Sequence, residues 1–105
     1  MAIKFKKTEK EKYTLIEFTV GKDCTPDLLE KTTLPKVDYK KGVVLKGEGP
    51  FWLFGLLIHN YHPKQWICRW IAIFDPSLKE AVVVASNDPS IEVGNSIDLI
   101  ETDTV

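Results

Sequence analysis

Two short stretches carry the residue types that do chemistry. "KGEGP", Lys46 to Pro50, stands directly before the apolar run "FWLFGLLIHNYHP", which ends in His59 and His62. A glycine-containing loop between a strand and a helix start exposes backbone N–H groups, and the helix dipole adds partial positive charge. Such a loop can cradle a phosphate without a basic side chain. The residues alone leave two readings open: a turn with a helix cap, or an anion seat built from Lys46, Gly47, Glu48, Gly49 and Pro50. Glu48 suits the second only when it points at a base or a ribose hydroxyl.

His59 and His62 are three apart on one predicted helix, near the end where the dipole favours a protonated ring. They read as surface histidines, as an acid/base pair, or as two metal ligands that still need a third from elsewhere. Asp75 precedes Pro76 and reads as a turn initiator. It also lies one crossover from the histidines, near enough in sequence order for a His and Asp to act together on a proton. Ser86 and Asn87 end a strand expected to run opposite to its predecessor, so this polar pair belongs at the other sheet edge, as a turn or as ligand contacts. Trp52, Trp66 and Trp70 are spread along apolar elements and read as core rather than as base-stacking platforms.

These residues need elements to position them. Ile3 and Phe5 alternate with lysines, and "YTLIEFTV" (Tyr13 to Val20) is rich in aromatic and branched residues, so a hairpin is expected around the charged "KKTEKEK". "CTPDLLEKT" carries a helix start, with Thr25 at the N-cap, Pro26 at the first helical position and Asp27 in the first turn, and a short helix to about Lys31. "GVVL" (Gly42 to Leu45) reads as a strand covered on both faces. From Pro50 the pattern is a helix ended by Pro63, apolar on all sides and therefore buried on all sides. One wall is the sheet; a second subunit approaching at Gly55 supplies the other. "WICRWIAIF" (Trp66 to Phe74), "AVVVAS" (Ala81 to Ser86) and "SIDLIE" (Ser96 to Glu101) complete the strands. A strand, loop, helix, strand unit from Val43 to Phe74 makes its two strands parallel. The expected fold is α/β: a single Rossmann-like domain over 1–105, with a mixed sheet, edge hairpins and two main helices. In such sheets ligands gather beyond the carboxyl ends of the strands, where "KGEGP" sits.

Composition narrows the function. The chain has 105 residues, 44% apolar and 28% charged, with a formal net charge of -1. No global positive field holds duplex DNA by counterion release, so a nucleotide ligand must be small and locally recognised. The longest apolar run, Phe51 to Ile58, is far short of the roughly 20 residues that span a bilayer. Cys24 and Cys68 lack metal-ligand spacing and no signal peptide precedes Lys4, so free thiols in a reducing cytoplasm are expected.

Taken together, "KGVVLKGEGPFWL", the histidines of "IHNYHP", "FDP" and "AVVVAS" resemble the small CRISPR-associated ring-nuclease family of type III systems, over about Tyr13 to Leu99. The resemblance implies a Rossmann-like dimer, related to CRISPR-associated ligand-sensing domains, that assembles as a dimer of dimers around cyclic tetraadenylate and cuts it to linear diadenylates. It implies adenylate contacts at Lys46 to Pro50, with Ser86 and Asn87 as further contacts. His62 and Asp75 match the catalytic histidine and aspartate, drawn from opposing dimers, and His59 a neighbouring histidine. The family has also been described as manganese-dependent RNA deadenylases, so short RNA and manganese enter as alternative ligands, while ring cleavage itself requires no cofactor. Two departures stand out. Ser77 replaces an arginine and Asn87 a histidine found in relatives, which removes a cation suited to a phosphorane and weakens a metal site. Lys79 or Arg69 are the candidate substitutes for the cation. "KQWICRW" is also longer than its counterpart.

Overall fold

The computed structural model describes residues 3–22, 24–27, 32–61 and 68–99. Among these residues six strands and one full helix follow in chain order: β1 (Ile3–Glu9), β2 (Tyr13–Val20), β3 (Gly42–Glu48), α1 (Phe51–Tyr61), β4 (Trp70–Asp75), β5 (Glu80–Ser86) and β6 (Ser96–Ile97). They form one mixed sheet in the order β1-β2-β3-β4-β5-β6, an α/β fold. The three central strands β2, β3 and β4 are parallel, while β1, β5 and β6 pair antiparallel. The second expected helix falls mostly on residues 28–31, and Trp66 and the far end of "SIDLIE" are likewise outside the described residues.

The sequence pattern explains this layering. β3 sits between two apolar layers, and Val43, Val44 and Leu45 are all fully buried, so its run is continuous rather than alternating. On one side Ile16, Phe18, Val43, Leu45 and Ile71 pack against Leu53, Leu57 and Tyr61 of α1. On the other, Leu15, Val44, Trp70, Ala72 and Val83 are covered by Ile91, Ile97 and Leu99 from the chain after β5. Burying each large side chain contributes about 1.5–3 kcal/mol, an upper figure set against chain ordering.

A single chain supplies one of the two walls expected around α1. Apolar residues surround α1, yet only Leu53, Leu57 and Tyr61 are buried, spaced by four on the stripe that meets the sheet. Phe51 is 95% exposed and Leu56 and Gly55 also face outward in the single chain, on the side expected to meet a second subunit. Two strands are also shorter than expected. β4 begins at Trp70, and the last strand pairs only through Ser96 and Ile97. Among the described residues no helix is long and apolar enough to cross a membrane.

Candidate functional site at the carboxyl edge of the parallel strands

Because β2, β3 and β4 run the same way, Val20, Glu48 and Asp75 finish at one edge of the sheet, and α1 starts there. Pairing of β3 with β2 continues to Thr19 and Glu48, whereas pairing with β4 stops at Leu45 and Ile73. Gly47 and Glu48 are therefore ladder residues, not the bare loop that "KGEGP" led us to expect. The open backbone is confined to Gly49, Pro50 and the first turn of α1. There Leu53 N donates to Pro50 O at 3.0 Å, while the N–H groups of Phe51 and Trp52 have no carbonyl within the helix.

The glycines differ in their reasons. A Cβ on Gly47 would lie 2.4 Å from the Phe18 carbonyl oxygen and 2.9 Å from its ring, so packing alone requires glycine. On Gly49 it would meet only the end of Leu53 closely, at 3.3 Å, so the neighbouring protein tolerates nearly a side chain there.

Lys46 extends from β3 with its ammonium 4.8 Å from the centre of the Phe74 ring, a cation–π contact. A cleft of about 450 Å³ lies beside it, lined by Glu17, Phe18, Thr19, Val20, Lys46, Gly47 and Glu48. Phe18 is buried under α1, so the cleft opens on the opposite face, where Glu17, Thr19, Lys46 and Glu48 project. Sequence reasoning missed Glu17, Thr19 and Phe74. The alternation of "LIEFTV" marked Glu17 and Thr19 as sharing a face, but only the register of β2 against β3 places them beside Lys46.

Asp75 serves its own turn. Its Oδ1 accepts from Ser77 N at 2.8 Å and, more weakly, from Leu78 N at 3.4 Å, and its carbonyl accepts Lys79 N at 2.8 Å. Lys79 takes a left-handed conformation (φ 58°) to close this hairpin. Asp75 Oδ2 accepts no hydrogen bond among the described residues.

The opposite edge holds the remaining expected site residues. α1 runs back along the sheet for about 16 Å, and His59 lies exposed in its last turn. Tyr61 closes the helix, its hydroxyl donating to Pro35 O at 2.5 Å, and the Cys68 thiol donates to Tyr61 O at 2.8 Å. Burial pushes both groups up to about 12, so neither ionises near neutrality. His62, the next residue in the chain, is outside the described residues. Ser86 pairs with Trp70 at the start of β4. Its hydroxyl lies 2.5 Å from Ile91 O and 3.1 Å from Asp88 O and accepts Asp88 N–H at 3.0 Å, so it is committed to its own loop. Asn87 N donates to Arg69 O, and Arg69 Nε meets Asp88 Oδ2 at 3.1 Å. The Ser90 backbone N–H, and then Arg69, pull the Asp88 carboxyl down to about 2.

Three placements follow. Ser86 and Asn87 lie at the far edge from Lys46–Pro50 of their own chain, as the expected reversal of β5 implies. His59 and Asp75 of one chain are not neighbours, because α1 is antiparallel to the strands it connects. Arg69 is paired with Asp88 at the far edge from Asp75 of its own chain, whereas Lys79 stands in the Asp75 turn. Among the described residues no three His, Cys, Asp or Glu side chains converge as for a metal ion.

Residues 17–98, most of the chain, match the family described as CRISPR-associated protein (Cas_csx3). An uncharacterized protein of Aquifex aeolicus (strain VF5) is 44% identical over 88 residues, covering 80% of this chain and 76% of that one. The chain belongs to the CRISPR-associated Cas_csx3 family.

Proposed function

We propose that this chain is a ring nuclease of type III CRISPR defence, a Rossmann-like cytoplasmic phosphodiesterase that binds cyclic tetraadenylate and cuts it to linear diadenylates. Beyond family membership, one observation carries the reading. The parallel strands bring Lys46, which among the described residues has an aromatic contact but no ion pair, the start of α1, and a half-committed carboxylate, Asp75, to one open edge. That is where α/β sheets bind ligands.

In this reading the phosphate rests against Lys46 and the N–H groups around Gly49 and Phe51. A ribose 2′-hydroxyl attacks the adjacent phosphorus in line: the O2′–P bond forms, the P–O5′ bond breaks, and the product ends in a 2′,3′-cyclic phosphate. One group takes the 2′-hydroxyl proton and another returns a proton to O5′. His62 and Asp75 fill these roles, with His59 adjacent, and such proton transfers contribute roughly 10²–10⁴ in rate. Since His59 and Asp75 lie at opposite edges, the histidine end meeting a given ligand comes from another copy, in keeping with a dimer of dimers on a symmetric ring.

The test is incubation of purified protein with cyclic tetraadenylate in EDTA. Linear diadenylates that disappear with His62→Ala support the reading. Intact ligand with a raised melting temperature makes the protein a sensor. Cleavage only after manganese is restored favours the deadenylase-like alternative, and the absence of binding overturns all three.

A further inference from the structure

We propose that β2 supplies the second wall of the ligand seat, with Glu17 and Thr19 taking ribose 2′-hydroxyls of a ribonucleotide whose phosphate rests on Lys46, itself held by Phe74. This rests on the cyclic-oligoadenylate reading above and goes further by naming the part of the ligand that the cleft selects.

Register places Lys6, Glu17 and Lys46 in one row across β1, β2 and β3, with Phe74 beyond Lys46, and Lys4, Thr19 and Glu48 in the next row. Alternating charges on an open sheet face ordinarily pair across strands. Here they do not. Among the described residues the ion pairs are Lys7–Glu9, Lys41–Glu9 and Arg69–Asp88, all at the other edge. Glu17 has a cation on each side in register, yet neither is within ion-pair distance. Lys46 instead lies on the Phe74 ring, which fixes its position while leaving its three N–H donors available.

The cleft thus offers a fixed cation, two acceptor-only carboxylates in Glu17 and Glu48, and the Thr19 hydroxyl within about 450 Å³. Free phosphate suits it poorly, since carboxylates flank the cation. A ribonucleotide suits it, because a hydroxyl donor lies beside each phosphate. Cutting cyclic tetraadenylate into diadenylates uses half of its 2′-hydroxyls, so others are free for recognition. Phe74 acts through Lys46 and is a positioning residue.

The experiment is titration of the full chain with cyclic tetraadenylate and with its all-2′-deoxy analogue, for wild type, Glu17→Ala, Thr19→Val, Phe74→Leu and Phe74→Tyr, with melting curves for each. Wild type should prefer the ribo ring by roughly tenfold or more, the effect of one hydrogen bond to a charged group. Glu17→Ala should bring that preference within about threefold, with Thr19→Val in the same direction and the melting temperature unchanged. Phe74→Leu should weaken both ligands and Phe74→Tyr restore binding. If wild type binds neither ring, the functional reading fails and takes this inference with it. If wild type binds and cleaves the ribo ring but Glu17→Ala keeps the full preference, the reading stands and the β2 wall is wrong.

Discussion

The two edges of the sheet treat their polar groups in opposite ways. At the edge where the parallel strands begin, several polar side chains are answered from within the protein. Glu9 takes the Thr14 hydroxyl and the Lys41 ammonium, Asp88 takes Arg69 and Ser90, and Ser86 ties down its own loop. At the edge where they end, among the described residues, Lys46 has only an aromatic face, Glu17 and Glu48 have no ion pair, and half of the Asp75 carboxylate is open. Internal satisfaction adds stability and rigidity, whereas polar groups left open add nothing to the fold until a ligand arrives. The difference marks out the candidate phosphate seat more sharply than residue type does, since both edges carry acids, bases and serines.

The contrast can be broken, and the largest effect should come from Asp75→Asn. The asparagine oxygen still accepts from Ser77 N and Leu78 N, so the turn and the melting temperature should hold. Cleavage of cyclic tetraadenylate should fall by about 10²–10⁴-fold. A stable variant with an unchanged rate would remove proton chemistry from this edge.

Next comes a pair of glycines. Gly47→Ala drives a methyl against the Phe18 carbonyl and should cost about 1–3 kcal/mol in chemical denaturation. Gly49→Ala meets little protein and should keep more of its stability while weakening the ligand. Equal losses of stability would mean that the seat at Gly49 is ordinary packing.

The smallest effect belongs to the edge where the parallel strands begin and is a pH dependence. The folded Asp88 carboxyl is depressed to about 2 from an ordinary 3.8, so its contribution is complete above the unfolded value and is lost as pH falls from about 4 to about 2. Arg69→Ala should move the acid-unfolding midpoint upward slightly, read by circular dichroism. An unmoved midpoint would mean that Arg69 does not hold the Asp88 carboxyl down.

Much of this was legible in the sequence. "GVVL" announced a strand buried on both faces, and Ser86 was placed at the far edge by the expected reversal of β5. The "DP" turn reading of Asp75 also matches its hydrogen bonds. Other features depend on geometry that residue order does not carry. Whether Gly47 belonged to a loop or a ladder turned on how far β2 and β3 stay paired. The apolar circumference of α1 gave no sign of which stripe would meet the sheet, so Phe51 could not be told from Leu53. The separation of His59 from Asp75 was available in principle. An eleven-residue helix returning along a strand of seven residues spans the whole sheet, so its end cannot meet the strand end it started beside.

The most direct test of that separation is complementation. His62→Ala and Asp75→Ala chains, each inactive alone on cyclic tetraadenylate, are unfolded together, refolded and assayed at equal proportions. If histidine and aspartate act on one ligand from different copies, a substantial fraction of wild-type cleavage returns in the mixture. If the mixture stays as inactive as its parents while wild type refolded the same way is active, both residues serve the ligand from one chain, and the two-edge account is contradicted.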